Sequence, residues 1–137
     1  MRILGLDVGD KRIGIAVSDE LCMCAHGVRT IERKGIKEDI RQIKEICEEY
    51  GVEEIIAGLP VNMDGTKGIM AGKVEDFISL LKKDILIPIN TWDERLSTVQ
   101  AERNLIEADM SRKKRKLVID KIAAAIILQG YLDSRQH

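Results

Sequence analysis

The chain has 137 residues, enough for one domain that buries most of its apolar surface, and 22 Lys and Arg against 23 Asp and Glu leave a net charge of -1. That balance excludes a polycation holding nucleic acid by bulk charge, and an aromatic share of 3% excludes a base-stacking platform and implies an aliphatic core. Cys22, Cys24 and Cys47 are odd in number, lack C-x-x-C spacing and have only His26 and His137 for company, which argues against structural zinc. With no signal peptide and no apolar run of spanning length, they predict free thiols in a cytoplasmic protein.

The opening stretch, MRILGLDVGDKRIGIAVSD, sets one acid, Asp7, at the end of the apolar run Ile3, Leu4, Leu6 and Val8. Such a run predicts a central strand covered on both faces. A lone carboxylate closing it needs an N–H, a cation or a metal, so Asp7 is the first candidate ligand of an active site, with a turn-capping role as the alternative. Gly9 and Asp10 predict a turn into Ile13 to Val17, which returns antiparallel, and Gly9 and Gly14 leave room for a phosphate or metal beside the backbone. Leu21 to Ile31 supplies a third strand, with Cys22, Cys24 and His26 as packing or edge residues.

Gly35 opens a helix to Tyr50, whose Ile36, Ile40, Ile43, Ile46 and Cys47 recur at three- and four-residue steps, and Gly51 ends it. Val52 to Leu59 reads as a strand parallel to the first. It runs into GLPVNMDGTKG, a loop at the strand's carboxyl end, where open α/β sheets place their sites. The glycines from Gly65 to Gly72 and Lys73 lack the spacing of a phosphate loop. The loop either approaches a substrate backbone or caps the next helix through Asp64 and Thr66.

Ile69 to Leu81 makes a second helix with Val74, Phe77, Ile78 and Leu81 on one face, and Ile85 to Thr91 another parallel strand. That strand delivers WDERLST, which puts Asp93 and Glu94 at its carboxyl end before a helix carrying Val99, Leu105 and Ile106. Adjacent side chains diverge, so one of the two acids turns to the site and the other to the backbone, with Arg95 and Thr98 close by. Five consecutive basic residues, Arg112, Lys113, Lys114, Arg115 and Lys116, read as an exposed loop able to contact phosphates. The last helix, Leu117 to Leu132, is almost wholly apolar except for Asp120 and Lys121, and an acid among residues that pack on a sheet is informative.

Asp7, Glu94 and Asp120 therefore converge in principle. Carboxylates without imidazole or thiolate prefer Mg²⁺ or Mn²⁺, and such clusters hold one or two ions for phosphodiester hydrolysis.

The element order, three strands in meander followed by helix, strand, helix, strand, helix and helix, resembles the ribonuclease H-like fold. That is an α/β architecture with a five-stranded mixed sheet flanked by helices, its first three strands antiparallel and its last two parallel to the first. GLDVGDKRIGIAVSD, GLPVNMDGT, DERLST and DKIAAAIILQGYL resemble the four signature blocks of the YqgF family, across Met1 to Leu132. Its members are described as Holliday junction resolvases and are linked to maturation of small-subunit ribosomal RNA precursors. The resemblance implies a single nuclease domain over 1–137, with Asp7, Glu94 and Asp120 as catalytic acids and as ligands of Mg²⁺ or Mn²⁺. It implies nucleic-acid contacts at Lys11, Arg12, the loop Gly58 to Pro60, Asn62, Arg95 and the run Arg112 to Lys116, with the role of Asp93 open. The implied partners are a structured RNA precursor or branched DNA and a ribosomal particle, with no membrane, and the implied products are a 5′-phosphate and a 3′-hydroxyl. Monomer and homodimer both fit, since junction resolution needs two symmetric cuts and RNA trimming one.

Two rivals remain. The opening also resembles the phosphate-binding hairpin of actin-like ATPases and sugar kinases, which need a second lobe this length does not provide. The same fold can also serve as a non-catalytic nucleic-acid-binding or ribosome-associated module. Three convergent negative charges facing phosphates argue against that.

Overall fold

A computed structural model describes residues 1–96 and 112–135. The strands are β1 (Arg2–Val8), β2 (Arg12–Ser18), β3 (Ala25–Glu32), β4 (Val52–Leu59) and β5 (Ile89–Asp93), in the spatial order β3-β2-β1-β4-β5. The first three pair antiparallel, and β4 and β5 extend the sheet parallel to β1. Helix α1 (Ile36–Tyr50) links β3 to β4, α2 (Ile69–Asp84) links β4 to β5, a single 3₁₀ turn (Glu94–Leu96) follows β5, and α3 (Arg112–Arg135) closes the described chain. No described helix is long and apolar enough to cross a membrane. The helix expected around Val99, Leu105 and Ile106 lies outside the described residues.

Alternation along the strands divides the core in two. On one face Leu4, Leu6 and Val8 of β1 pack with Ile13 and Ile15 of β2 and Ile55 of β4, beneath Ile40 and Ile43 of α1 and Val74, Phe77 and Leu81 of α2. On the other, Ile3, Ala16 and Ile56 meet Ala124, Ile127, Leu128 and Leu132 of α3. Asp7 is two residues beyond Gly5 and four beyond Ile3, so it belongs to the α3 face. This is how an acid ends a buried strand: its side chain faces another polar-tipped element, not the main core.

Helix α3 also approaches the main chain of the sheet where glycines stand. A Cβ placed on Gly14 would stand 1.9 Å from the Asp120 carbonyl oxygen, and one on Gly5 2.8 Å from the Leu128 Cβ. The vacancy expected at Gly14 for a phosphate or metal is thus filled by the backbone of α3. Only a residue without a side chain allows that approach.

Four boundaries differ from expectation for local reasons. Strand β3 starts at Ala25 instead of Leu21, because Asp19 organises a turn by accepting the Met23 and Cys24 N–H groups at 2.7 and 3.2 Å. Helix α2 continues to Asp84, where the Ile85 N–H still donates to the Leu81 carbonyl at 3.0 Å. Strand β5 starts at Ile89 because Leu86 is 97% exposed and Pro88 has no N–H to donate to a ladder. The basic run Arg112 to Lys116 is helical backbone, not a loop, in the first described turns of α3. Lys and Arg are good helix formers and neither Gly nor Pro interrupts them. Helix α1 ends as expected, on a left-handed Gly51 (φ 63°) whose N–H meets the Cys47 and Glu48 carbonyls.

Candidate active site

Period two carries three acids to one place. Asp7 ends the α3 face of β1, and its cross-strand partner is Gly14, the residue on which the Asp120 backbone rests. In β4 the next residue on that face after Ile56 is Gly58, paired with Trp92 of β5. Two residues past Trp92 comes Glu94, whose Oε1 would lie 2.9 Å from a Cβ on Gly58. The Glu94 carboxylate is therefore laid over the bare backbone of Gly58. Asp7, Glu94 and Asp120 line one cavity of about 210 Å³ at the carboxyl ends of β1 and β4, with Val8, Gly9, Gly58, Pro60 and Met70 as its other walls. A larger hollow of about 430 Å³ opens at the other end of β4, between Cys47, Val52 and Leu86, and its lining is mostly apolar.

One of the acids, Asp120, is paired with a cation. The Arg12 Nε donates to Asp120 Oδ2 at 2.8 Å, with the two side chains 25% and 20% exposed. Arg12, expected on the nucleic-acid surface, is thus turned toward the cavity. Lys11 is exposed on the adjacent turn.

The paired acids of β5 diverge. Asp93 faces away from the cavity and accepts from Arg95 Nε and Nη2, at 2.7 Å for the latter, and from the Arg95 N–H at 2.9 Å. The Arg95 guanidinium holds the Asp93 carboxyl below the usual carboxylate range. Asp93 thereby anchors Arg95 beside the loop after β4. In that loop Asn62 donates through Nδ2 to the Thr66 hydroxyl at 3.0 Å, and Thr66 donates through N–H and hydroxyl to Asp64 at 2.9 and 2.6 Å. These bonds fold the loop on itself. They do not cap α2, whose N-cap is Gly68 with no side-chain cap.

The sequence reading overlooked one group. Arg33 donates through Nε to Asp39 at 3.0 Å and through Nη1 to the Gly9 carbonyl at 3.0 Å, its N–H meets the Lys11 carbonyl at 2.9 Å, and its guanidinium lies 4.9 Å from the centre of the Phe77 ring. Asp39 is fully buried. The signal was available: Asp39 stands at helical spacing with Ile36 and Ile43, on the apolar face of α1.

Of the expected contacts, Arg12 is bonded to Asp120 of the cavity lining, while Asn62 belongs to the loop after β4 and Arg95 to the 3₁₀ turn beside it. The run Arg112 to Lys116 begins the helix that carries Asp120, one turn ahead of it. Among the described residues no three His, Cys, Asp or Glu side chains stand close enough, as placed, to hold a metal ion.

A mixed sheet with this strand order and a long helix laid across one face has the ribonuclease H-like architecture. The chain aligns over 99% of its length with 96% of Thermus thermophilus RuvC solved with a Holliday junction substrate (TM-score 0.61, 13% identity). It aligns over 98% of its length with 99% of the fowlpox virus Holliday junction resolvase (TM-score 0.55, 15% identity), and at these identities the likeness is one of fold. Residues 1–134 match the family model described as "RuvX: Holliday junction resolvase", and the chain belongs to that family. Curated relatives include proteins of Clostridium novyi (58% identical, 98% of this chain and 99% of the relative) and Halothermothrix orenii (61%, 97% and 95%). Both carry the name "Putative pre-16S rRNA nuclease".

Proposed function

We propose that the chain is a single-domain nuclease over 1–137 that hydrolyses phosphodiester bonds with a divalent cation at the cavity of Asp7, Glu94 and Asp120. The observation that carries this reading is the meeting of three carboxylates from separate segments in one hollow of about 210 Å³. The substrate class is the small-subunit ribosomal RNA precursor, the one named for relatives 58% and 61% identical over nearly the whole chain.

The donor set fits a hard ion. It is all oxygen, with no His or Cys in the cavity lining, which suits Mg²⁺ or Mn²⁺. Asp7, Glu94 and Asp120 would hold it, once Asp120 is released by Arg12. A cation bound there supplies positive charge for the non-bridging phosphate oxygens and acidity for the attacking water. The protein's own groups do the rest. The turn from Gly9 to Arg12 and the loop at Pro60 give a rim against which a phosphodiester can lie, and Arg12 and Lys11 offer donors to phosphate oxygens. Arg112 to Lys116 adds phosphate contacts on the same helix as Asp120, which makes binding weaken steeply with salt.

The experiment is cleavage of a labelled precursor fragment and of a four-way DNA junction, with Mn²⁺, by the native chain and Asp7→Asn. The variant is expected to lose roughly a hundredfold or more of its cleavage while unfolding at the same urea concentration. Undiminished cleavage by Asp7→Asn would remove the assignment. No cleavage by either protein, with tighter RNA binding by the variant, would make the chain a binding module, and preference for the junction would move the substrate to DNA.

A further inference from the structure

We infer that Arg12 is an exchangeable counter-ion of Asp120, which holds that carboxylate in the cation-free protein and competes with a divalent cation for it. The inference rests on the metal-dependent reading of the cavity.

Three observations carry it. Asp7, Glu94 and Asp120 share one small hollow yet do not, as placed, form a set able to hold an ion, and the carboxylate of Asp120 is taken by the Arg12 Nε at 2.8 Å. The Asp120 main chain is held in place, its carbonyl oxygen resting on the bare backbone of Gly14, so any exchange of partners falls to the side chains. The partner that can leave is Arg12, whose long side chain is a quarter exposed and stands at the cavity's edge, just past the Gly9 turn.

The second arginine of this region shows what a permanent pair looks like here. Arg33 meets a fully buried Asp39, a main-chain carbonyl and an aromatic face at once. Arg12 meets a fifth-exposed carboxylate through Nε. A buried pair that loses one partner leaves a costly charge, whereas a part-exposed pair at the mouth of a cavity exchanges partners at small cost. Arg12 thus occupies the Asp120 carboxylate in the cation-free protein and lowers the affinity of the cavity for the cation that replaces it.

The test is calorimetric titration of Mn²⁺ into the metal-stripped full chain, without nucleic acid and at fixed ionic strength. Arg12→Gln is expected to tighten Mn²⁺ binding about three- to tenfold, the range of a part-exposed charge-assisted contact. Arg12→Lys keeps the charge and the aliphatic stem but not the planar guanidinium, so it tightens binding less, and it reads the same sign where the Gln variant fails to fold. Lys11→Gln removes the same charge from the neighbouring exposed residue and is expected to change the affinity less than about twofold. Unchanged or weaker Mn²⁺ binding by the Arg12 variants would overturn the inference. So would an equal gain in Lys11→Gln, which would assign the effect to the general field. Failure at Arg12 alone leaves the nuclease reading standing, whereas absence of Mn²⁺ binding by the native chain removes both.

Discussion

The seating of α3 on the sheet is most directly probed at Gly14. A methyl group there would stand 1.9 Å from the Asp120 carbonyl oxygen and 2.3 Å from its carbon, both main-chain atoms of a helix that cannot rotate away. Restoring ordinary contact requires the helix to rise by roughly 1.5 Å at this point. A lift of that size loosens Ala124, Ile127 and Leu128 from Ile3, Ala16 and Ile56 and carries the Asp120 carboxylate out of register with Asp7 and Glu94. Overpacking against backbone belongs at the upper end of its usual range, so Gly14→Ala should cost about 3 kcal/mol and lower Tm by roughly 10 °C. Gly72 is the control. A methyl there meets nothing within 4 Å inside α2, so Gly72→Ala should stabilise by about 0.5–1 kcal/mol. Urea unfolding of the three proteins reads the stability and precursor cleavage reads the position of Asp120. A Gly14→Ala protein within about 0.5 kcal/mol of the native one and fully active would refute the close seating, and with it the account of how Asp120 is placed.

Two other substitutions test the surroundings. Asp39→Ala leaves the Arg33 guanidinium without its buried partner and should destabilise the chain by about 3–5 kcal/mol in urea unfolding; a loss under about 1 kcal/mol would mean water replaces the carboxylate at no great cost. Burial pushes the Cys47 thiol up from 9.0 to about 11, so between those pH values the unfolded chain releases a proton that the folded chain keeps. Stability should therefore fall as pH rises through that window, and Cys47→Val should flatten the fall. Equal alkaline slopes for the two proteins would contradict this.

Much of the architecture was legible because it follows from periodicity. The apolar run ending in Asp7, the three- and four-residue steps of α1 and the Gly51 stop each constrain the chain locally, and the structure agrees. The divergence of Asp93 and Glu94 was legible too, since neighbouring side chains at a strand end point apart. What sequence could not express was approach between main chains. Gly14 looked like space for a ligand because nothing in its neighbours says that a helix more than a hundred residues later lies on it. The partner of Arg12 was hidden for the same reason, being set by Asp120 at a distance of 108 residues. The start of β3 and the helical state of the basic run were decided by local hydrogen bonding and helix propensity against patterns that pointed elsewhere.

The two walls of the cavity are unequally anchored. The Gly9 side is tied through Arg33 to Asp39 of α1 and to Phe77 of α2, so it moves only if two helices of the main core move with it. The opposite wall, beyond Pro60, is a loop whose Asn62, Asp64 and Thr66 are bonded to one another, with Arg95 alongside. One jaw is therefore an extension of the scaffold, whereas the other is held by its own bonds, by Lys67 to Glu75 of α2 and by Arg95 at its edge. The position of the Gly9 wall thus depends on the main core, and that of the Pro60 wall on a handful of exposed polar bonds.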